Sequence, residues 1–176
     1  MGGPPADLRA HLKDLLWRQA DAAGWMTLSD QVKTIYYDTW TRDPAIGGVL
    51  AAHMDPSDVR TFLKYVLFKN YTRDRLGEPD APFAALGVRT DAPVQETFVH
   101  PHGRLLRDGR LVCWGRADDW QSVLFAMHER AYARPGAARW AAVLMYATAR
   151  CLQTQFRGMV EDAARLLRIE RTVWLD

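Results

Sequence analysis

Ala137-Ala138-Arg139-Trp140-Ala141-Ala142-Val143-Leu144-Met145-Tyr146-Ala147-Thr148-Ala149-Arg150-Cys151-Leu152-Gln153-Thr154-Gln155-Phe156-Arg157-Gly158-Met159 is the stretch on which the reading of the fold turns. Wound as a helix, it has apolar side chains over most of its circumference, the mark of a helix buried among others, and it is expected to be the central core helix. The exceptions line up. At 100° per residue Arg139, Tyr146, Arg150, Gln153 and Arg157 fall within about 40° of one meridian, a narrow basic stripe. No acidic residue lies between Arg130 and Val160. A partner for these guanidiniums must therefore come from elsewhere in the fold, from solvent or from a bound anion.

Just upstream, Asp118 with Gln121 three residues on reads as a helix cap. Trp120, Val123, Leu124, Met127 and Ala131 form one face of the helix that follows, which ends before Pro135-Gly136. Gln121, Phe125, His128 and Tyr132 make a second face, suited to a partner or to another core layer. Leu105 to Val112 carries Asp108-Gly109 at its centre, the pair preferred in tight primed turns where both central residues take positive φ, so a β-hairpin is expected there. Val94 to Val99 fits a further strand. Downstream, a C-terminal helix through Leu166, Leu167 and Ile169 follows Gly158, with Val173-Trp174-Leu175 packing back or docking on a partner.

The N-terminal half reads as helical. Leu8, Leu12, Leu15 and Leu16 recur at helical spacing from Asp7 to Ala22, and Gly24 offers a stop. Thr27 and Asp30 resemble a capping box for a second helix faced by Val32, Ile35, Tyr36 and Trp40, ending near Arg42. Asp43-Pro44 and Asp55-Pro56 each place a cap acceptor before a proline suited to the first helical position. The first opens a short helix weakened by Gly47-Gly48, the second a stronger one with Val59, Phe62, Leu63, Val66 and Leu67 on one side. From about 76 to 93 the glycines and prolines predict a long irregular connection pinned by Phe83 and Leu86. The expected fold is α+β: a predominantly helical bundle of about six helices with a small antiparallel β-hairpin in the second half, in one domain over residues 1–176.

Hydrophobic residues make up 48% and charged residues 25% of the 176 positions, which excludes a disordered chain. Cys113 and Cys151 are too few for a disulfide framework and too far apart for a zinc motif, so a reducing cytoplasm is the simplest setting. The chain has neither a basic leader with an apolar run nor an uninterrupted apolar span. Its net charge of +2 is far below that of an autonomous DNA-binding domain. Residues 1–88 hold 10 Lys and Arg against 11 Asp and Glu, whereas residues 89–176 hold 13 against 10, so the excess of positive charge is local to the second half.

No phosphate-cradling glycine loop or nucleophile motif is present. The favoured function is a non-catalytic module that binds nucleic acid or another polyanion, with no cofactor and as a subunit of a larger assembly. Its contacts would come from Arg139, Tyr146, Arg150 and Arg157, helped by Arg104, Arg107 and Arg110 around the hairpin. One alternative is a metal-dependent phosphodiester hydrolase built on His100, His102 and His128, since two imidazoles two residues apart on a strand point the same way. An acidic metal nuclease would need a carboxylate on one strand and an acid with a lysine on the next, and no lysine follows Asp108. A third reading is an adaptor or homo-oligomer that docks partners through Trp174 and the Phe125 and Tyr132 face.

Overall fold

In the computed structural model, which describes residues 3–176, the chain divides between Asp74 and Arg75 into two units. Helix α1 (Ala6–Ala22) buries Leu12, Leu16 and Ala20, one side chain per turn, and stops where Gly24 takes a left-handed φ of 64°. Helix α2 (Asp30–Arg42) is capped by the Ser29 side chain, which accepts from the Val32 N–H at 3.4 Å. The predicted cap Thr27 instead donates to the Gly24 carbonyl at 2.9 Å. Both Asp-Pro pairs start helical turns as expected, with Asp43 accepting from Ala45 N–H at 2.7 Å and Asp55 from Ser57 N–H at 2.8 Å. The first opens a wide turn, Pro44–Gly48, in which the Gly48 N–H reaches the Asp43 carbonyl at 3.0 Å, and it runs into α3 (Val49–Ala51). A Cβ on Gly47 would lie 1.9 Å from the Thr41 carbonyl oxygen, so only glycine fits. Helix α4 (Val59–Phe62) widens likewise over Leu63–Leu67, and α5 (Tyr71–Gly77) follows.

This first unit is organised by aromatic rings. Trp25 meets Tyr36, Tyr37, Trp40, Phe68 and Tyr71 at centroid distances from 4.7 to 6.4 Å. Burial pushes the Tyr37 phenol up to about 12, against an opposing pull from Arg60. The folded unit therefore holds that proton more tightly than the unfolded chain does. Its stability is expected to be level below pH ~10 and to fall between pH ~10 and ~12, by at most roughly 1.4 kcal/mol per pH unit from this group. Denaturant melts across that range, with tyrosinate absorbance as a second readout, check the sign.

The second unit is an α/β layer structure. Helix α6 (Asp80–Leu86) lies within the predicted irregular connection. It carries Pro82 in its first turn, where proline is tolerated, and closes on Gly87 at a left-handed φ of 69°, with Val88 N–H bonded to the Phe83 carbonyl at 2.8 Å. Phe83 and Leu86 pin it, as expected. The strands β1 (Val94–Val99), β2 (His102–Leu106), β3 (Arg110–Arg116), β4 (Ala138–Met145) and β5 (Arg171–Leu175) form one sheet in the order β1-β2-β3-β4-β5. The first three run antiparallel, and β3, β4 and β5 run parallel. Helix α7 (Trp120–Tyr132) connects β3 to β4 and α8 (Thr154–Leu166) connects β4 to β5.

The expected small hairpin is therefore replaced by a five-stranded mixed sheet, and the expected core helix over residues 137–159 does not exist. Its first third is β4, an inner strand covered on both faces. Ala142 and Leu144 pack with α7 and α8, while Ala141, Val143 and Met145 pack with Phe83 and Leu86 of α6. Such a strand is apolar at every position and loses the alternation that marks a half-exposed one. Helix α8 then begins only at Thr154, and Val173-Trp174-Leu175 lies in β5.

The predicted hairpin joins β2 to β3, but through three residues, Arg107 to Gly109. Only Gly109 takes positive φ, at 87°, and its N–H donates to the Leu106 carbonyl at 3.0 Å, the geometry of a type I turn closed by a glycine bulge. At the sheet margin, β1 is bulged between Val94 and Glu96, and Glu96 is gripped by Arg134 through two bonds of 2.5 Å. No described helix is long and apolar enough to cross a membrane.

Candidate nucleic-acid interface

Because β3, β4 and β5 are parallel, their first residues share one end of the sheet. Arg110 opens β3, Arg139 is the second residue of β4, and Arg171 opens β5. Measured along β4, Arg110 pairs with Ala138 and Arg171 with Ala141, so the three arginines fall within four consecutive positions of that strand, and the β2–β3 turn adds Arg107. Trp140 sits where the β3–β4 register shifts, 9% exposed. One arginine from each neighbouring strand covers its indole, Arg110 at 4.2 Å and Arg171 at 5.8 Å from the ring centroid. Arg168, at a left-handed φ of 58°, lies just ahead of β5.

The acids at this end are Asp91, Asp108 and Glu170, the last exposed just before Arg171 with its backbone N–H bonded to the Arg139 carbonyl at 2.9 Å. Asp108 accepts from Arg110 at 2.8 Å, and that guanidinium holds the Asp108 carboxyl below the usual carboxylate range. Arg89 pairs with Asp91 at 2.5 Å. Among the described residues, Arg107, Arg139, Arg168 and Arg171 have no carboxylate partner. The Arg139 Nε is buried without a hydrogen bond. A groove of about 510 Å³ lined by Val88, Arg89, Asp91, Pro93 and Arg110 opens beside the turn.

Of the residues expected from sequence, Arg107, Arg110 and Arg139 share this end of the sheet, Arg110 on the face that carries Trp140 and Arg139 level with Leu111 on the face covered by α7 and α8, and the others lie elsewhere. Tyr146 lies seven residues along an extended strand from Arg139, roughly 23 Å away at the opposite end. Tyr146 itself adopts a left-handed φ of 56° and packs partly buried beside the α6 layer. Arg150 lies over the Phe156 ring at 4.9 Å. Arg157 is engaged by the Cys151 carbonyl at 2.9 Å, by Asp176 and by the Trp174 ring at 4.8 Å. Arg104 is half-buried in mid-sheet, bonded to the Gly103 carbonyl at 2.8 Å and 5.1 Å from the Trp114 ring, where desolvation lowers its pKa. Arg171 and Arg168 went unrecognised in the sequence. The signal for Arg171 was the β-branched and aromatic run Arg171-Thr172-Val173-Trp174-Leu175, which marks a strand whose first residue belongs to the sheet edge.

Asp118, expected as a helix cap, instead accepts from the Thr148 hydroxyl at 2.9 Å and the Cys151 thiol at 3.2 Å, tying the loops after β3 and β4 together. Burial pushes the Cys113 thiol up to about 11, opposed by the adjacent Arg130. Both cysteines are fully buried, so ordinary thiol reagents at neutral pH are expected to modify neither in the folded protein and both after unfolding.

The histidine pair does not sit on one strand. His100 is exposed in the β1–β2 turn, while His102 is buried in β2 against Trp114, 6.2 Å between ring centroids and 20° from parallel. Among the described residues, no group of three or more histidines, cysteines and acids is placed to hold a metal ion, His100, His102 and His128 included. Neither β2 nor β3 contains a carboxylate. No protein-family model, curated protein or solved structure matches the chain.

Proposed function

We propose that this protein binds the phosphate backbone of nucleic acid, without catalysing a reaction, through the arginine edge at the start of the parallel strands. The observation that carries the proposal is the set Arg107, Arg139, Arg168 and Arg171, gathered at one end of the sheet and forming no ion pair among the described residues, with Asp108 and Glu170 the acids adjoining them in sequence. Guanidinium forks match phosphate oxygens, and their contacts fix position on the backbone without reading sequence. A whole-chain charge of +2 makes the binding local and suits a subunit held in place by a larger assembly. Two buried free thiols fit a reducing cytoplasm.

The test is fluorescence anisotropy with labelled single- and double-stranded DNA and RNA at several salt concentrations, with divalent metal present so that cleavage registers as a fall in signal. Affinity is expected to drop steeply with salt. Arg107→Gln is expected to weaken binding to every sequence alike and to reduce the salt slope by about 1. Salt-insensitive binding, or none, rejects the reading.

A second reading rests on Phe125 and Tyr132, which are 57% and 83% exposed on the outer side of α7. Large aromatics left in water mark protein interfaces, so this face would dock a protein partner or a second copy. Sedimentation tests the second case: a concentration-dependent dimer that Phe125→Ser with Tyr132→Ser abolishes supports it, and an unchanging monomer removes self-association. Trp174, the other expected anchor, is partly buried and in contact with Arg157 and Phe156.

A further inference from the structure

We infer that Arg110, Trp140 and Arg171 form a preorganised clamp for the phosphates of one nucleic-acid strand, and that Asp108 occupies Arg110 in the absence of ligand as a carboxylate standing in for phosphate. The inference rests on the reading above and names which part of the edge grips. Arg110 and Arg171 rise from the strands on either side of β4, two strand spacings or roughly 10 Å apart across the sheet, and are offset along it, Arg110 pairing with Ala138 and Arg171 with Ala141. Both side chains lie against the same indole, at 4.2 and 5.8 Å from its centroid. Trp140 is itself fixed, 9% exposed and packed with Leu106, Val112 and Val143. A guanidinium resting on a rigid indole has already lost most of the rotamer freedom that a surface arginine must give up on binding, so more of its contact energy appears as affinity.

The two guanidiniums differ in one respect. Arg171 has no carboxylate partner among the described residues. Arg110 donates from Nε to Asp108 Oδ2 at 2.8 Å, and its Nη2 lies 2.8 Å from an Asp108 oxygen. The other Asp108 oxygen accepts the Arg110 backbone N–H at 3.1 Å, which holds the hairpin turn. Asp108→Asn keeps an oxygen for that backbone bond and removes the charge that competes with phosphate.

The experiment compares wild type, Asp108→Asn, Arg171→Gln, Trp140→Leu and Trp140→Phe, with Arg150→Gln at the far end of the sheet as control. Each variant is first checked by circular dichroism and thermal melting, then titrated by anisotropy with a labelled single-stranded oligonucleotide at two salt concentrations. Asp108→Asn is expected to tighten binding about threefold or more, and Arg171→Gln to weaken it about tenfold. Trp140→Leu should weaken binding although every arginine remains, with partial recovery in Trp140→Phe, whose ring still carries a guanidinium. Arg150→Gln should bind as wild type. If wild type binds with salt dependence and Asp108→Asn, Arg171→Gln and Trp140→Leu all match it, the clamp is wrong and the edge reading stands. If neither wild type nor Asp108→Asn binds, both fall together.

Discussion

Trp25→Ala is expected to cost the N-terminal unit about 3–5 kcal/mol, the range for removing a large buried aromatic. Trp25 is 3% exposed and sits among five other rings, stacked on Trp40 at 5.3 Å and edge-on to Tyr37 at the same distance. The neighbours cannot collapse into the space easily, because Trp40 is held by its indole N–H to Gln19 at 2.6 Å and Tyr71 by its hydroxyl to Asp21 at 2.6 Å. Set against a typical domain stability of about 5–15 kcal/mol, the loss is a large fraction of the total. Near-UV circular dichroism and urea melts read it directly. Trp25→Phe should recover part of the loss, and a Trp25→Ala cost below 1 kcal/mol would mean that the ring cluster does not organise the unit.

Trp114→Ala is the counterpart in the second unit, with a similar expected cost of about 3–5 kcal/mol. The side chain is fully buried at the middle of β3, faces Phe83 of α6 at 6.2 Å, and stacks with His102. Its indole N–H donates to the Leu76 carbonyl at 2.7 Å. Trp114→Phe separates the two contributions. It retains most of the packing but leaves that carbonyl without its donor, a loss of about 1–3 kcal/mol. If the Phe and Ala variants melt together, the hydrogen bond carries the stability and packing contributes little.

Much of the first unit was legible because its signals are local. Gly24, Asp43-Pro44 and Asp55-Pro56 mark helix ends through backbone chemistry that needs no tertiary context, and all three act as expected. In the second unit the turn around Asp108-Gly109 and the strand Val94–Val99 were legible for the same reason. The sheet was not, since its inner strand β4 owes its conformation to layers that lie far away in sequence. Alanine, leucine and methionine over 141–145 suit a buried helix as well as a buried strand. Winding residues 137–159 as a helix put Arg139 and Arg157 on one stripe, whereas the real chain turns through a loop between them. Arg107 and Arg110 belong to the candidate site because Asp108-Gly109 marks the place of the turn, although not its type: the loop has three residues and only Gly109 takes positive φ. Arg171 was missed because nothing near it in sequence says that β5 lies beside β4.

The β1 margin, one of the two edges of the sheet, carries its own consequence. Strand β1 pairs only with β2, so its outer row of amides and carbonyls is available in principle to another chain. The bulge between Val94 and Glu96 breaks the regular spacing of that row. Immediately beyond it the Glu96 carboxylate and the Arg134 guanidinium form a charged pair, which an incoming strand would have to strip of water. Crowded solutions of the protein should therefore resist fibril growth from this margin even though Phe98 and Val99 lie on it, and Glu96→Val with Arg134→Leu is the change that would turn the margin into a template for polymerisation.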